Sequence, residues 1–169
     1  MKLMIISLTL FFTLLVCFFK TSVKFVKKDT VLVIERFGKF NRNVNSNRTV
    51  VIPFIEKVKA IVSLEPQKIE LPPQSIITTD NVIINIGTIT KFQVTDPVKA
   101  TYEIESFERG IETMTTKLLH DIVEKMDYDT AINSKTDIRH NIQNILTEAV
   151  SSWGITIWEF EFSTFAKNI

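Results

Sequence analysis

Apolar positions follow three regimes along this chain. From Leu3 to Phe19 they are almost continuous, and LMIISLTLFFTLLVCFF contains no charge, glycine or proline between Lys2 and Lys20. From Val31 to Val94 they come in short β-branched runs cut by turn residues, the pattern of strands. After Asp96-Pro97 the spacing becomes three and four, the period of an amphipathic helix. A last alternating run closes the chain.

The first regime predicts a membrane anchor. Its 17 residues make roughly 25 Å of helix, against a hydrocarbon core about 30 Å thick. Lys2 and Lys20 can snorkel and lengthen the span. Leu3, Phe11, Phe12, Leu15, Phe18 and Phe19 are its apolar contacts. Two readings compete with an uncleaved anchor. A cleaved signal peptide needs a small-x-small exit, and Cys17-Phe18-Phe19-Lys20 is bulky. A lipoprotein signal ending at Cys17 needs a small preceding residue, and Val16 is not small. Lys20, Lys24, Lys27 and Lys28 follow the segment, so the positive-inside rule places the rest of the chain on the cytoplasmic side. A helix that dips in and returns gives the same placement, so the attachment is single-pass or monotopic. The same four lysines are candidates for anionic headgroups. Cys17 is a candidate for acylation, or simply a small apolar residue.

The second regime predicts a mostly antiparallel sheet. Thr30 to Phe37 reads as a strand ending at Gly38. Asn41 to Arg48 is polar and reads as a loop. Thr49 to Ile52 is a short strand stopped by Pro53, and Lys57 to Leu64 is another, broken by Glu65-Pro66. Gln67 to Leu71 alternates, and Pro72-Pro73 is expected to end it. Thr79-Asp80-Asn81 reads as a turn, with Asp80 in an Asx-type role. Val82 to Val94 is long, with Gly87 at a bulge.

The third regime predicts two main amphipathic helices. Phe107, Ile111, Met114, Leu118 and Ile122 share one face, with Ser106 as N-cap. Ile138, Ile142, Ile145, Leu146, Ala149 and Val150 share another, with Ser134 and Asp137 as a capping pair. Trp153-Gly154 stops that helix. Ile155 to Phe162 alternates and returns to the sheet, placing Phe160 and Phe162 on the face of Trp158, as core or as interface. The fold class is α+β. The expected organisation is an anchor over 1–22, a juxtamembrane linker over 23–30, one domain over 31–165 and a tail over 166–169.

Composition narrows the chemistry. With 20 basic and 19 acidic residues the net charge is +1, which argues against nucleic-acid binding. A single cysteine allows no disulfide within the chain. His120 and His140 are too far apart in sequence for a paired metal site. Asp121, Glu124, Asp127 and Asp129 read as a solvated helix end. There is no Gly-x-Ser-x-Gly elbow, and 4 glycines leave no phosphate-cradling loop. No catalytic, metal or cofactor site is expected.

Several segments together carry a resemblance. Glu35-Arg36-Phe37-Gly38-Lys39-Phe40 and Ile52-Pro53-Phe54-Ile55-Glu56-Lys57-Val58 are two. Leu71 to Val82, with Gln74, Thr78, Asp80 and Asn81, is the most specific. Val94-Thr95-Asp96-Pro97-Val98-Lys99-Ala100 and Trp153-Gly154-Ile155-Thr156-Ile157 complete the series. In order and spacing the chain resembles the stomatin/prohibitin/flotillin group, the SPFH or Band 7 family, and its stomatin-like members most. The resemblance implies an N-terminal membrane helix followed by an SPFH domain. It implies no enzymatic activity, no cofactor, contact with membrane lipids, and assembly into homo-oligomers. The implied role is a scaffold that organises membrane patches or modulates channels and membrane-bound proteases; a regulatory subunit of such a protease is the alternative. The sequence departs from the family at Asn43 to Arg48, where a Pro-Gly is usual, and at Lys117 and Trp158, where arginine is common. It ends at Ile169, where relatives continue into a heptad-rich helical tail that supplies much of their ring contact, so the resemblance does not extend to a large closed assembly; the chain reads either as a natural short form or as a truncated product.

Overall fold

The structure is a computed structural model that describes residues 23–25, 28–45 and 48–167. The anchor over Leu3–Phe19 and the headgroup candidates Lys20 and Lys27 lie outside the described residues. No helix among the described residues is long and apolar enough to cross a membrane. The chain forms two compact units, one ending at Leu64 and one starting at Glu65.

The first unit is all β. Its strands are β1 (Val23–Phe25), β2 (Thr30–Arg36), β3 (Lys39–Val44), β4 (Arg48–Val50) and β5 (Glu56–Ser63). They form a two-stranded sheet, β1-β4, and a three-stranded sheet in the order β3-β2-β5, all antiparallel. Val31 to Ile34 are all buried, as the central position of β2 requires. Leu32, Ile34 and Val51 pack together, with Val44 and Val58 against them. Val23–Phe25, inside the segment expected to link anchor and domain, is a strand paired with β4.

The first unit departs from the sequence reading at β3. The polar stretch from Asn41 is not a loop: residues up to Val44 continue β3. That strand is exposed at nearly every position, so it lacks the alternation that marks a half-buried strand. Its pairing comes from the turn that precedes it. Arg36 faces Lys39, which leaves a two-residue loop, Phe37-Gly38. Both have positive φ, +51° and +77°, as a type I′ hairpin turn requires. Asparagine is the usual residue at the first of these positions. Phe37→Asn is therefore expected to stabilise the first unit by about 1 kcal/mol, the left-handed strain a bulky residue carries there, seen as a higher melting temperature.

The second unit joins a sheet to four helices. Its strands are β6 (Gln67–Ile77), β7 (Ile83–Val94) and β8 (Ile155–Lys167), antiparallel with β7 in the middle. Its helices are α1 (Pro97–Tyr102), α2 (Phe107–Val123), α3 (Tyr128–Asn133) and α4 (Lys135–Ser151). α4 lies along β8, and α2 packs against α4 and β6. Ile84, Ile86, Phe92 and Phe160 form the buried face of the sheet. Phe107 meets Phe92 edge-on, with ring centroids 5.8 Å apart.

Pro72-Pro73 does not end β6. The strand runs through both prolines with a bulge between Leu71 and Gln74. This is allowed because β6 is an edge strand, where a missing N–H costs no ladder bond. The buried row of α2 is Ile111, Thr115, Leu119 and Val123, whereas Phe107, Met114, Leu118 and Ile122 are half-buried. The polar Thr115 in that row hid its true centre. In α4 the row is Ile138, Ile142, Leu146 and Val150, with Ile145 on the exposed flank. Ser134 makes no side-chain cap to α4. It also ends α3, donating its N–H to the carbonyl of Thr130, and so lacks the extended backbone of a capping residue.

Candidate interaction surfaces

The most specific motif in the chain builds a corner of the second unit. Thr78 is buried at the end of β6. Its N–H donates to the Val82 carbonyl at 3.0 Å, and its hydroxyl accepts from Val82 N–H at 3.2 Å and donates to Asp80 Oδ1 at 2.5 Å. Asn81, at φ +59°, donates its N–H back to the Thr78 carbonyl. The turn then reaches across to the α2–α3 connection: Thr79 N–H donates to the Met126 carbonyl at 3.0 Å, and Asp80 Oδ1 accepts from Tyr128 N–H at 3.2 Å. Gln74 Nε2, at the β6 bulge, donates to Thr116 Oγ1 of α2 at 3.1 Å.

Two carboxylates meet at this corner. The Thr78 hydroxyl, and after it the Tyr128 N–H, hold Asp80 below the usual aspartate pKa of 3.8. The Thr130 contacts lower Asp127, the N-cap of α3, in the same way. A depressed folded pKa gives stability that is complete above the unfolded value and is lost as pH falls through the folded one. The corner is therefore expected to loosen in acid, below about pH 4. Asp80→Asn keeps an acceptor but removes the titration, so its melting temperature should fall less steeply between about pH 5 and 2. Parallel profiles for the two proteins would remove Asp80 from the account.

A second clasp joins the start of the helices to their end. Asp96 Oδ1 caps α1, accepting from Val98 and Lys99 N–H at 3.0 and 3.2 Å, and Pro97 takes the first helical position. The Gly154 carbonyl accepts three hydrogen bonds, from Thr95 N–H, Asp96 N–H and the Thr95 hydroxyl. Trp153 beside it lies against Gly110 of α2: a Cβ there would stand 3.0 Å from the indole. Above this contact opens a groove of about 680 Å³, lined by Ile104, Arg109, Gly110, Met114, Lys117 and Trp153 among others.

In the first unit the motif residues shape the end of the three-stranded sheet. Glu35 pairs with Lys59 at 3.8 Å. Gly38 completes the β2–β3 turn. Pro53 is the second residue of another turn, which opens at Ile52 and is closed by Ile55 N–H donating to the Ile52 carbonyl at 3.4 Å, with Phe54 at φ +66°. Behind it Glu56 is buried and accepts from Asn41 Nδ2, Arg42 Nη2 and Ile52 N–H, each at 3.1 Å.

Residues 24–165 match the SPFH domain / Band 7 family. The chain belongs to this family. It is 36% identical to a protein of Mycobacterium tuberculosis over 140 residues, 83% of this chain and 37% of that one. It is 33% identical to a protein of Methanothermobacter thermautotrophicus over 158 residues, 94% of this chain and 49% of that one. It is 28% identical to the mitochondrial stomatin-like protein 2 of Rattus norvegicus over 141 residues, 83% of this chain and 40% of that one. The chain thus spans less than half the length of the curated relatives it matches.

In this SPFH domain the motif residues described above hold turns, caps and strand ends. Among the described residues no three His, Cys, Asp or Glu side chains gather as metal ligands. His120 pairs with Glu124 one turn on, Nδ1 to Oε1 at 2.7 Å, and His140 lies against Arg139. Lys28 is exposed, and Lys24 stands in β1. The expected face of Trp158 is corrected. β8 bulges there, since Lys91 faces Glu159 while Phe92 faces Ile157. The extra residue reverses the alternation, leaving Trp158 64% exposed and Phe160 in the core. Phe162 and Phe165 are half-buried and stack edge-on at 5.0 Å beneath the Lys135 ammonium. Sequence reasoning missed Glu56 as a hub, because a glutamate opening a strand ordinarily reads as surface.

Proposed function

We propose that this protein is a membrane-attached scaffold subunit of stomatin/prohibitin type that self-associates through its SPFH domain and organises membrane patches or membrane proteins. The observation that carries the reading is one of position. The family domain starts at residue 24, five residues after an uncharged apolar run ends at Phe19. Leu3–Phe19 is the anchor in this reading, and Lys20, Lys24, Lys27 and Lys28 face anionic headgroups on the cytoplasmic side. Anchoring confines subunits to two dimensions, so weak contacts between domains suffice for assembly. The reading assigns no catalysis. The described motif residues are committed to backbone hydrogen bonds and caps, which suits a rigid module better than a reactive one.

The test is crosslinking in intact membranes, followed by native sizing and mass spectrometry. A ladder of multiples of 19.4 kDa in the membrane fraction is the expected result. Monomers alone, after gentle extraction, would sink the self-association. Consistent recovery with a membrane protease, without homo-oligomers, would favour a regulatory subunit instead.

A further inference from the structure

We propose that the two loops at one end of the first unit are a second lipid contact, through which Phe37 and Phe54 enter the headgroup–acyl boundary of the bilayer. The proposal rests on the membrane attachment argued above and adds a separate site to it. Arg36 faces both Lys39 and Glu56, so the β2–β3 turn and the loop leading into β5 leave the sheet at the same end. The Phe37 N–H donates to the Ile55 carbonyl at 3.3 Å and ties the loops together. From this joined tip Phe54 is 96% exposed and Phe37 76% exposed, with Phe40 and Ile52 beside them in sequence and also exposed.

Local stability does not explain these phenylalanines. Each occupies a left-handed backbone position, +51° and +66°. The type I′ turn favours asparagine or glycine at the first site. The Pro53-Phe54 turn, with proline at its second position, favours glycine or asparagine at the third. Both turns thus carry a strained, solvent-facing aromatic where a small polar residue suits the fold, and such outliers point toward function.

The surroundings select a lipid surface as the occupant. Neither loop has an acidic residue. Arg36, Lys39 and Lys57 are exposed beside them, and the Arg36 guanidinium lies 5.9 Å over the Phe37 ring. Glu56, the carboxylate that follows the second loop at the start of β5, is buried against Arg42 and Asn41. An apolar tip with a cationic rim matches the interface of an anionic bilayer. Topology supplies the location. Val23, where β1 begins, is paired with Val50, where β4 ends. The chain arriving from the apolar segment and the chain leaving for Phe54 therefore meet at one point. Three residues lie between Phe19 and Val23, so the four backbone steps reach at most about 14 Å.

The full chain, with Cys17→Ser and a single cysteine introduced as Phe37→Cys, Phe54→Cys or Ile61→Cys, is labelled with a polarity-sensitive fluorophore. It is then reconstituted in phosphatidylcholine/phosphatidylserine vesicles carrying nitroxide lipids. Ile61 is 70% exposed in β5, about 17 Å along the strand from Glu56, and serves as the control. The expected result is a blue shift and nitroxide quenching at positions 37 and 54 and neither at 61. Labels at 37 and 54 that stay water-like, on a chain that floats with the vesicles, overturn the lipid contact and leave the anchor standing. A blue shift without nitroxide quenching reports contact with a second copy and overturns it as well. A chain that does not float overturns the membrane attachment and this contact with it.

Discussion

Gly154→Ala is expected to be among the most destabilising single substitutions in this chain, costing about 3–5 kcal/mol. Two independent effects add. The residue sits at φ +70°, where an L side chain carries about 1–2 kcal/mol of strain. A Cβ there would also lie 2.6 Å from both Asp96 Cβ and the Asp96 carbonyl oxygen, and 3.1 Å from its Cα. Relief requires moving backbone, and that backbone holds the three hydrogen bonds accepted by the Gly154 carbonyl. Asp96 is the cap of α1, so the disturbance spreads from the start of β8 to the first helix. Gly38→Ala is the matched control. Its φ is +77°, yet no atom lies within 4 Å of the position a Cβ would take. It should lose only the strain, about 1–2 kcal/mol. Melting of the full chain in detergent, followed by circular dichroism, compares the two. At about 4–8 °C per kcal/mol for a domain of this size, Gly154→Ala should melt lower by well over 10 °C. Equal losses at the two glycines would show that the approach to Asp96 carries no weight.

The same glycine shows what sequence reasoning could reach. Trp153-Gly154 was legible as a helix stop because glycine after an apolar helical row signals a chain reversal. Its partner Asp96 lies 58 residues away, and nothing local announces that contact. Strong periodicity made β2, β5, β7, α2 and α4 legible in kind. The failures have specific causes. β3 is exposed along its length, so only the hairpin turn specifies it. β6 passes through two prolines because it is an edge, and edge position is a property of the whole sheet. Trp158 changed face because one bulge residue reverses every later alternation. α3 is too short to show a period, and it took Ser134 away from α4.

The motif turn Thr78-Thr79-Asp80-Asn81 was legible as a turn, but its purpose was not. Its bonds to Met126 and Tyr128 join β6 to the end of α2, so a local motif serves a long-range closure. The Asp96–Gly154 clasp does the same for α1 and β8. Both closures restrain helix ends against the sheet, which leaves the outer helix faces and the groove beside Trp153 as rigid surfaces. Rigidity lowers the ordering cost of weak contacts, the property that repeated assembly at a membrane would exploit.

Glu56→Ala is the corresponding expectation for the first unit, with a cost of about 2–3 kcal/mol. Its carboxylate is almost inaccessible, with 2% of the side chain exposed, while the Arg42 partner is 43% exposed. The asymmetry sets the mechanism. Arg42 can turn to water when the carboxylate is removed, so the ion pair itself contributes little. The loss falls on the donors left behind, Ile52 N–H and Asn41 Nδ2, and on the bridge that Arg42 makes to the Val50 carbonyl at 2.9 Å. That bridge connects the end of β4 to the start of β5, and the Pro53-Phe54 turn hangs between them. Removing Glu56 should therefore lower the melting temperature and also free the turn that displays Phe54. Amide hydrogen exchange separates the two effects. Ile52 and Ile55 should exchange much faster in Glu56→Ala, while the Leu64 amide, bonded to the Asp29 carbonyl at the other end of the sheet, should change little. Glu56→Gln, with its oxygen in the Oε2 place, keeps the acceptor shared by Ile52 N–H and Arg42 but turns a donor toward Asn41 Nδ2, and should fall between. If Ile52 and Ile55 keep their protection in Glu56→Ala, the turn is held by the strands alone, and Glu56 does not position the aromatic tip.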